Sequence, residues 1–197
     1  DAQKLYRRIV KLYEDNSLEP GSRAASLCAE AQFRLTESRY SEYAAIVMVG
    51  RSTRQRAALE KKRDKLLELE ATYNDIAGYQ SNEWYIAAVY KTGLLWKDLA
   101  ESMANAPYPS DLQQDEDFRY AYSIQIGDMT ARFEDTARAF WRKGADVSKM
   151  KGVYNEWTVK ILEELNKYAE DREKYPLYRA EKKFEADKPL SHFPFVQ

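Results

Sequence analysis

Residues 83–106 read EWYIAAVYKTGLLWKDLAESMANA, and this stretch decides the fold. Tyr85, Val89, Thr92, Trp96, Leu99 and Met103 recur at alternating steps of four and three, the period of one helix face. A second stripe, Ile86, Tyr90 and Leu94, lies on another side. A helix that is apolar on two faces is packed between neighbours, not laid on a surface. Ser81 or Asn82 is placed to cap it, and Glu83 in the first turn suits the helix dipole. Pro107 and Pro109 stop it.

The same period extends in both directions. Upstream, Leu5, Ile9 and Leu12 line a first helix that ends at Asn16 and Ser17. Pro20, Gly21 and Ser22 break and restart the chain, and a second helix is expected from about Ser22 to Glu37. Tyr40 to Val49 forms a separate apolar piece closed by Gly50. A long helix is expected from about Ser52 to Tyr79. Leu59, Leu66, Leu69, Tyr73 and Ile76 make a heptad-like seam in it, interrupted by Lys62. Downstream, the acidic stretch 110–117 (SDLQQDED) leads into a helix from Phe118 to about Ile126. Gly127 and Asp128 suggest a turn. The next helical face is Met129, Phe133, Thr136, Phe140 and Val147. Beyond Gly152, Val153, Trp157, Ile161, Leu165 and Tyr168 predict a last helix that ends by Pro176. The final residues, from about 185, have no helical period and read as an extended tail.

Composition narrows the classes. The chain has 197 residues, 44% of them hydrophobic and 32% charged, a globular balance with ample length for a core. Its 31 basic and 32 acidic residues nearly cancel, which argues against a general nucleic-acid binder. The single cysteine, Cys28, leaves no intrachain disulfide and no cysteine-built zinc site, and it does not separate an envelope from a cytoplasmic location. The single histidine, His192, leaves no multi-histidine metal site. The longest apolar run, Tyr43–Val49, is far too short to span a membrane. The chain opens on Asp1 rather than Met, as a processed end or a boundary within a longer chain would; no signal peptide is legible, and any targeting signal would have been lost with what preceded Asp1.

A short pattern recurs three times inside predicted helices: Ala, any residue, aromatic, basic, any residue, then Gly or Thr. The copies are Ala31–Thr36, Ala88–Gly93 and Ala139–Gly144. Small residues let a neighbouring helix approach, while the aromatic serves the other side. Such use of both sides is what stacked helices need. The stretch Trp84-Tyr85-Ile86-Ala87-Ala88, with Tyr90 and Gly93, resembles tetratricopeptide (TPR) helices, and Ala137 with Trp141 matches an Ala-x3-aromatic step. The run from Ala29 to Pro176 further resembles the divergent C-terminal TPR regions of large bacterial envelope proteins, including those of gliding-motility machinery. The phrases that carry it are AEAQFRL (29–35), EWYIAAVYKTG (83–93), ANAPYP (104–109) and VYNEW (153–157). The spacing departs from the usual TPR period of about 34 residues, and no proline marks each repeat end. The resemblance implies an all-α, TPR-like α-solenoid of antiparallel helix pairs over residues 1–184, followed by the tail 185–197. It also implies a non-catalytic protein-binding scaffold in a periplasmic or envelope-associated bacterial assembly.

No catalytic constellation is visible: there is no phosphate loop, no nucleophile elbow and no Glu-x-x-His pair. Accordingly no cofactor or metal is expected. Cys28 follows Ala24, Ala25 and Leu27 on an apolar helix and reads as a buried small hydrophobe. The run Arg51–Lys65 carries seven basic residues against Glu60 and Asp64. It reads first as a solvated helix face, next as a surface for an acidic partner, and last as one for nucleic acid or anionic lipid, since no aromatic is interleaved for base stacking. Asp111, Asp115, Glu116 and Asp117 read as acids decorating a helix N-terminus. With 15 Tyr and 4 Trp, the chain holds many rings suited to binding hot spots. Those off the main stripes, Trp84, Tyr120, Tyr122 and Tyr154, are candidate protein-binding residues, joined by Phe193 and Phe195 of the tail. The competing expectation is a self-associating structural protein whose seam from Leu59 to Ile76 dimerises.

Overall fold

The computed structural model describes residues 2–177. Among them are six α-helices, one 3-10 turn and no strand: α1 (Ala2–Asp15), α2 (Arg23–Ala44), α3 (Ser52–Asp75) with its 3-10 extension Ile76–Tyr79, α4 (Asn82–Ala104), α5 (Glu116–Lys151) and α6 (Glu156–Asn166). The chain is all-α.

Helix ends follow local chemistry. The Ser22 side chain accepts from Ala25 N–H, Asp115 from Phe118 N–H, and Asn155 from the N–H groups of Trp157 and Thr158. Gly152 closes α5 with φ of 65°, a left-handed conformation that favours glycine. Helix α4 starts beside Ser81 as expected, but the Ser81 hydroxyl is bonded to that of Ser26 at 3.1 Å instead of capping.

Four expectations need correction. The piece from Tyr40 is not separate: α2 runs through it to Ala44, and only residues 45–49 are irregular. Gly127 and Asp128 make no turn, and α5 is one helix of 36 residues. A helical glycine costs only about 1 kcal/mol, less than a break in so long a packed helix. The buried face of α5 is Ala137, Trp141, Gly144 and Ser148, offset from the expected Phe133–Phe140–Val147 face. Last, α6 stops at Asn166, whose side chain bonds the backbone of Tyr175 in both directions (2.7 and 2.9 Å) and folds the following segment back.

Helix α4 is the centre. It packs against α2, α3, α5 and α6, so the two apolar faces read from its sequence are both covered. Two glycines set the spacing. A methyl group on Gly93 would overlap the indole of Trp141, and one on Gly144 would overlap Ile161 and press on Val89. Both are the closing residues of the Ala-x-aromatic pattern, so its small positions in α4 and α5 are close-approach positions. The first residue behaves unequally: Ala31 and Ala88 are buried, but Ala139 is exposed.

The seam of α3 is spent inside the chain. Leu66, Leu69, Tyr73 and Ile76 are fully buried and Leu59 partly so. Lys62, which interrupts the seam, is only 1% exposed. Its ammonium lies 2.8 Å from Asp98 of α4, sits 4.5 Å from the centre of the Tyr43 ring, and reaches the carbonyl of Ile46 at 3.3 Å. One lysine thereby ties α2, α3 and α4 together. Cys28 is buried as expected, and that burial pushes its thiol above the ordinary value.

Candidate functional site

The length mismatch between α4 and α5 builds the site. The two run antiparallel, with Gly93 against Trp141 and Trp96 stacked near Phe133 at 5.6 Å between ring centres. Helix α4 has 23 residues and α5 has 36, so about 20 Å of α5 at its N-terminal end runs past its support. Helices α3 and α5 both pack on α4, but their backbones do not approach one another. The space between them is an open trough of about 650 Å³.

Its lining is mostly apolar. Leu59 comes from α3, Met48 from the segment before it, and Met103 from the end of α4. Phe118, Tyr122, Ile126 and Met129 come from α5, spaced as one helical stripe. Three methionines give a surface that adapts to what it meets. The trough's floor is fastened by polar bonds. Asp111 accepts from the Ser52 N–H at 2.6 Å and from its hydroxyl at 2.7 Å. Those bonds hold the Asp111 carboxyl below its ordinary value. Gln55, buried, donates to the carbonyl of Pro107 at 2.8 Å. Tyr108 and Tyr122 meet edge to face at 5.0 Å, and the Tyr108 hydroxyl donates to the Gln113 carbonyl. Burial raises the Tyr122 phenol. The trough is therefore pre-shaped, which lowers the ordering cost of binding.

The predicted binding residues are dispersed. Tyr122 lines the trough. Tyr120, two residues away, is 70% exposed and outside the lining. Trp84 is a correction: it is 8% exposed, with its ring centre 5.3 Å from that of Phe33 and Arg34 stacked over it. Its place off the main stripe of α4 is explained by α2, which covers that side. Tyr154 sits half-buried at the α5–α6 turn, its hydroxyl enclosed without a hydrogen-bond partner. Phe193 and Phe195 lie outside the described residues. Sequence reasoning missed Phe118, Ile126 and Met129, although their spacing with Tyr122 was legible once no turn was placed at Gly127.

A second concavity, about 600 Å³ between α2 and α3, is lined by Glu42, Glu60, Lys61, Asp64, Lys65 and Glu68. Lys65 bridges Glu42 at 3.0 Å and Glu68 at 3.4 Å, so its charges are largely satisfied within the chain. No group of three metal-ligating side chains occurs among the described residues, and no described helix is long and apolar enough to cross a membrane. In comparisons with known proteins, no family model, curated protein or solved structure matches the chain.

Proposed function

We propose that this chain is a non-catalytic protein-interaction scaffold that holds a partner segment in the trough between α3 and α5. The observation that carries the reading is the trough itself: an apolar, methionine-rich surface, pre-shaped by Asp111–Ser52 and Gln55–Pro107, and left uncovered by the helices among the described residues. We further read the helices as TPR-like pairs. In support, α2, α4 and α6 pack in succession as one layer, while α1, α3 and α5 alternate with them and make no close backbone approach to one another. The spreading of α3 from α5 is what such curvature would produce. The resemblance of Ala29–Pro176 to bacterial envelope TPR regions supports membership of a periplasmic or envelope-associated assembly, gliding machinery included. Self-association through the Leu59–Ile76 seam is less well supported, because Leu66, Leu69, Tyr73 and Ile76 are spent inside the chain and only Leu59 borders the trough.

The test is binding of candidate assembly proteins to the purified chain and to Phe118→Ser. Phe118 is 45% exposed, so its loss leaves the core intact. Binding weakened at least tenfold with an unchanged melting temperature supports the reading. Full-strength binding by the variant removes the trough from it.

A further inference from the structure

We infer that two copies of this chain pair through the face of α5 that points away from the trough. Tyr120, Ile124, Gly127 and Ala131 line that face at helical steps of four, three and four, and all are exposed. At 3.6 residues per turn they lie nearly opposite Phe118, Tyr122 and Met129, and none of them borders the trough. Among the described helices only α4 and α6 pack on α5, and α6 meets it near Gly144, toward the other end. Tyr120 is 70% and Ile124 48% exposed. A methyl group on Gly127 would meet nothing within 4 Å.

The order of these residues argues for a second copy. The stripe reads large, large, small, small, and its spacing is the same from either end. Two such helices laid antiparallel about a two-fold axis set Tyr120 over the partner's Ala131 and Ile124 over the partner's Gly127, and symmetry supplies the reciprocal pairs. Each bulky side chain then meets a notch. A parallel pair would instead set ring against ring and notch against notch. Gly127, which makes no turn inside α5, gains a role as the hole for Ile124. Covering the exposed parts of Tyr120 and Ile124 with the two notches removes about 300 Å² from each copy, below the roughly 800 Å² per partner of a standard interface. The pair is therefore weak and forms with rising concentration. At each end of the stripe Asp117 stands opposite the partner's Glu134, so like charges limit the seam to four layers. The inference goes beyond the binding reading above: the trough lies on the other side of α5, and a pair would carry two of them, both open.

Sedimentation equilibrium of the full chain over a concentration series reads the mass. It should climb from 23.0 kDa toward twice that value and stop there. Rising salt should tighten the pair by screening Asp117 from Glu134. Ile124→Glu should stay monomeric. Gly127→Leu should fill the hole and weaken pairing at least tenfold, while the dilute chain melts no lower, since leucine favours a helix over glycine. Mass that stays monomeric at every concentration overturns the inference, and so does growth past two copies, which a closed pairing forbids. A dimer that survives Ile124→Glu and is lost in Phe118→Ser moves the contact into the trough and overturns it as well. Failure of partner binding at the trough, with the dimer intact, would overturn the binding reading alone.

Discussion

The two ends of α4 sit in opposite worlds. Around its first two thirds, rings and charges are answered from every side. Phe33 of α2 meets Trp84 at 5.3 Å and Trp157 of α6 at 5.4 Å, and Tyr90 meets Trp157 at 5.9 Å. Lys91 pairs with Glu37, which also accepts from Tyr73, and Trp96 donates to Glu70 at 2.8 Å. At its last turn, Met103 looks into a trough whose two walls never meet. The closed region spends its apolar surface on stability, whereas the open one keeps it available. The lesson is that identical helical periodicity yields a core or an open apolar surface according to whether a neighbouring helix is long enough to cover it.

Four measurements test that contrast. The largest effect belongs to Trp141→Ala. It empties the volume beside Gly93 and removes the indole N–H donated to the Tyr90 carbonyl at 3.2 Å. A loss of about 4 kcal/mol in urea unfolding is expected. A loss below about 1 kcal/mol would mean that the α4–α5 contact is not the keystone.

Next comes the buried ion pair. Asp98→Ala strands the Lys62 ammonium in the core and should cost about 3 kcal/mol, whereas Lys62→Met leaves a carboxylate whose side chain is still 32% exposed and should cost less. Equal losses from the two substitutions would show that the pair itself, not the stranded charge, sets the cost.

A smaller effect is pH-dependent. Burial acts to raise the Glu164 carboxyl, but bonds from Lys167 at 2.7 Å and Lys97 at 2.9 Å outweigh it and hold the group below 4.5, its ordinary value. A folded-state value that is depressed gives stability present above pH 4.5 and lost as the pH falls below it. Urea midpoints should therefore drop between pH 5 and pH 3, and Glu164→Gln should drop less. An equal drop in the variant would assign the acid sensitivity to other carboxylates.

The smallest stability effect is at the open end. Phe118→Ser should change stability by under about 0.5 kcal/mol, because the ring is not enclosed. A loss above about 2 kcal/mol would place Phe118 in the core and close the trough as a site.

Much of this was legible residue by residue. The period of α4, the stops at Pro107 and Pro109, the acids at the start of α5 and the break at Gly152 are local signals, and the structure honours each. Gly127 misled because a glycine's helical cost is small beside what a long helix gains from packing. Trp84 misled because its distance from the main stripe says nothing about which helix covers the other side. The trough was illegible for a related reason. Phe118, Tyr122, Ile126 and Met129 form a helical stripe like any core face, and nothing in their spacing says that α4 ends before reaching them.

The amino-acid sequence by itself determined that this chain is helical, where most helices start and stop, and that α4 must be covered on two faces. These follow from i,i+3/i+4 spacing, caps and prolines, all of which act within a few residues. Tertiary packing alone set the α3 seam inward, brought Lys62 to Asp98, and left one end of α5 open among the described residues. Those outcomes depend on the relative lengths and offsets of helices distant in the chain, which no local pattern records.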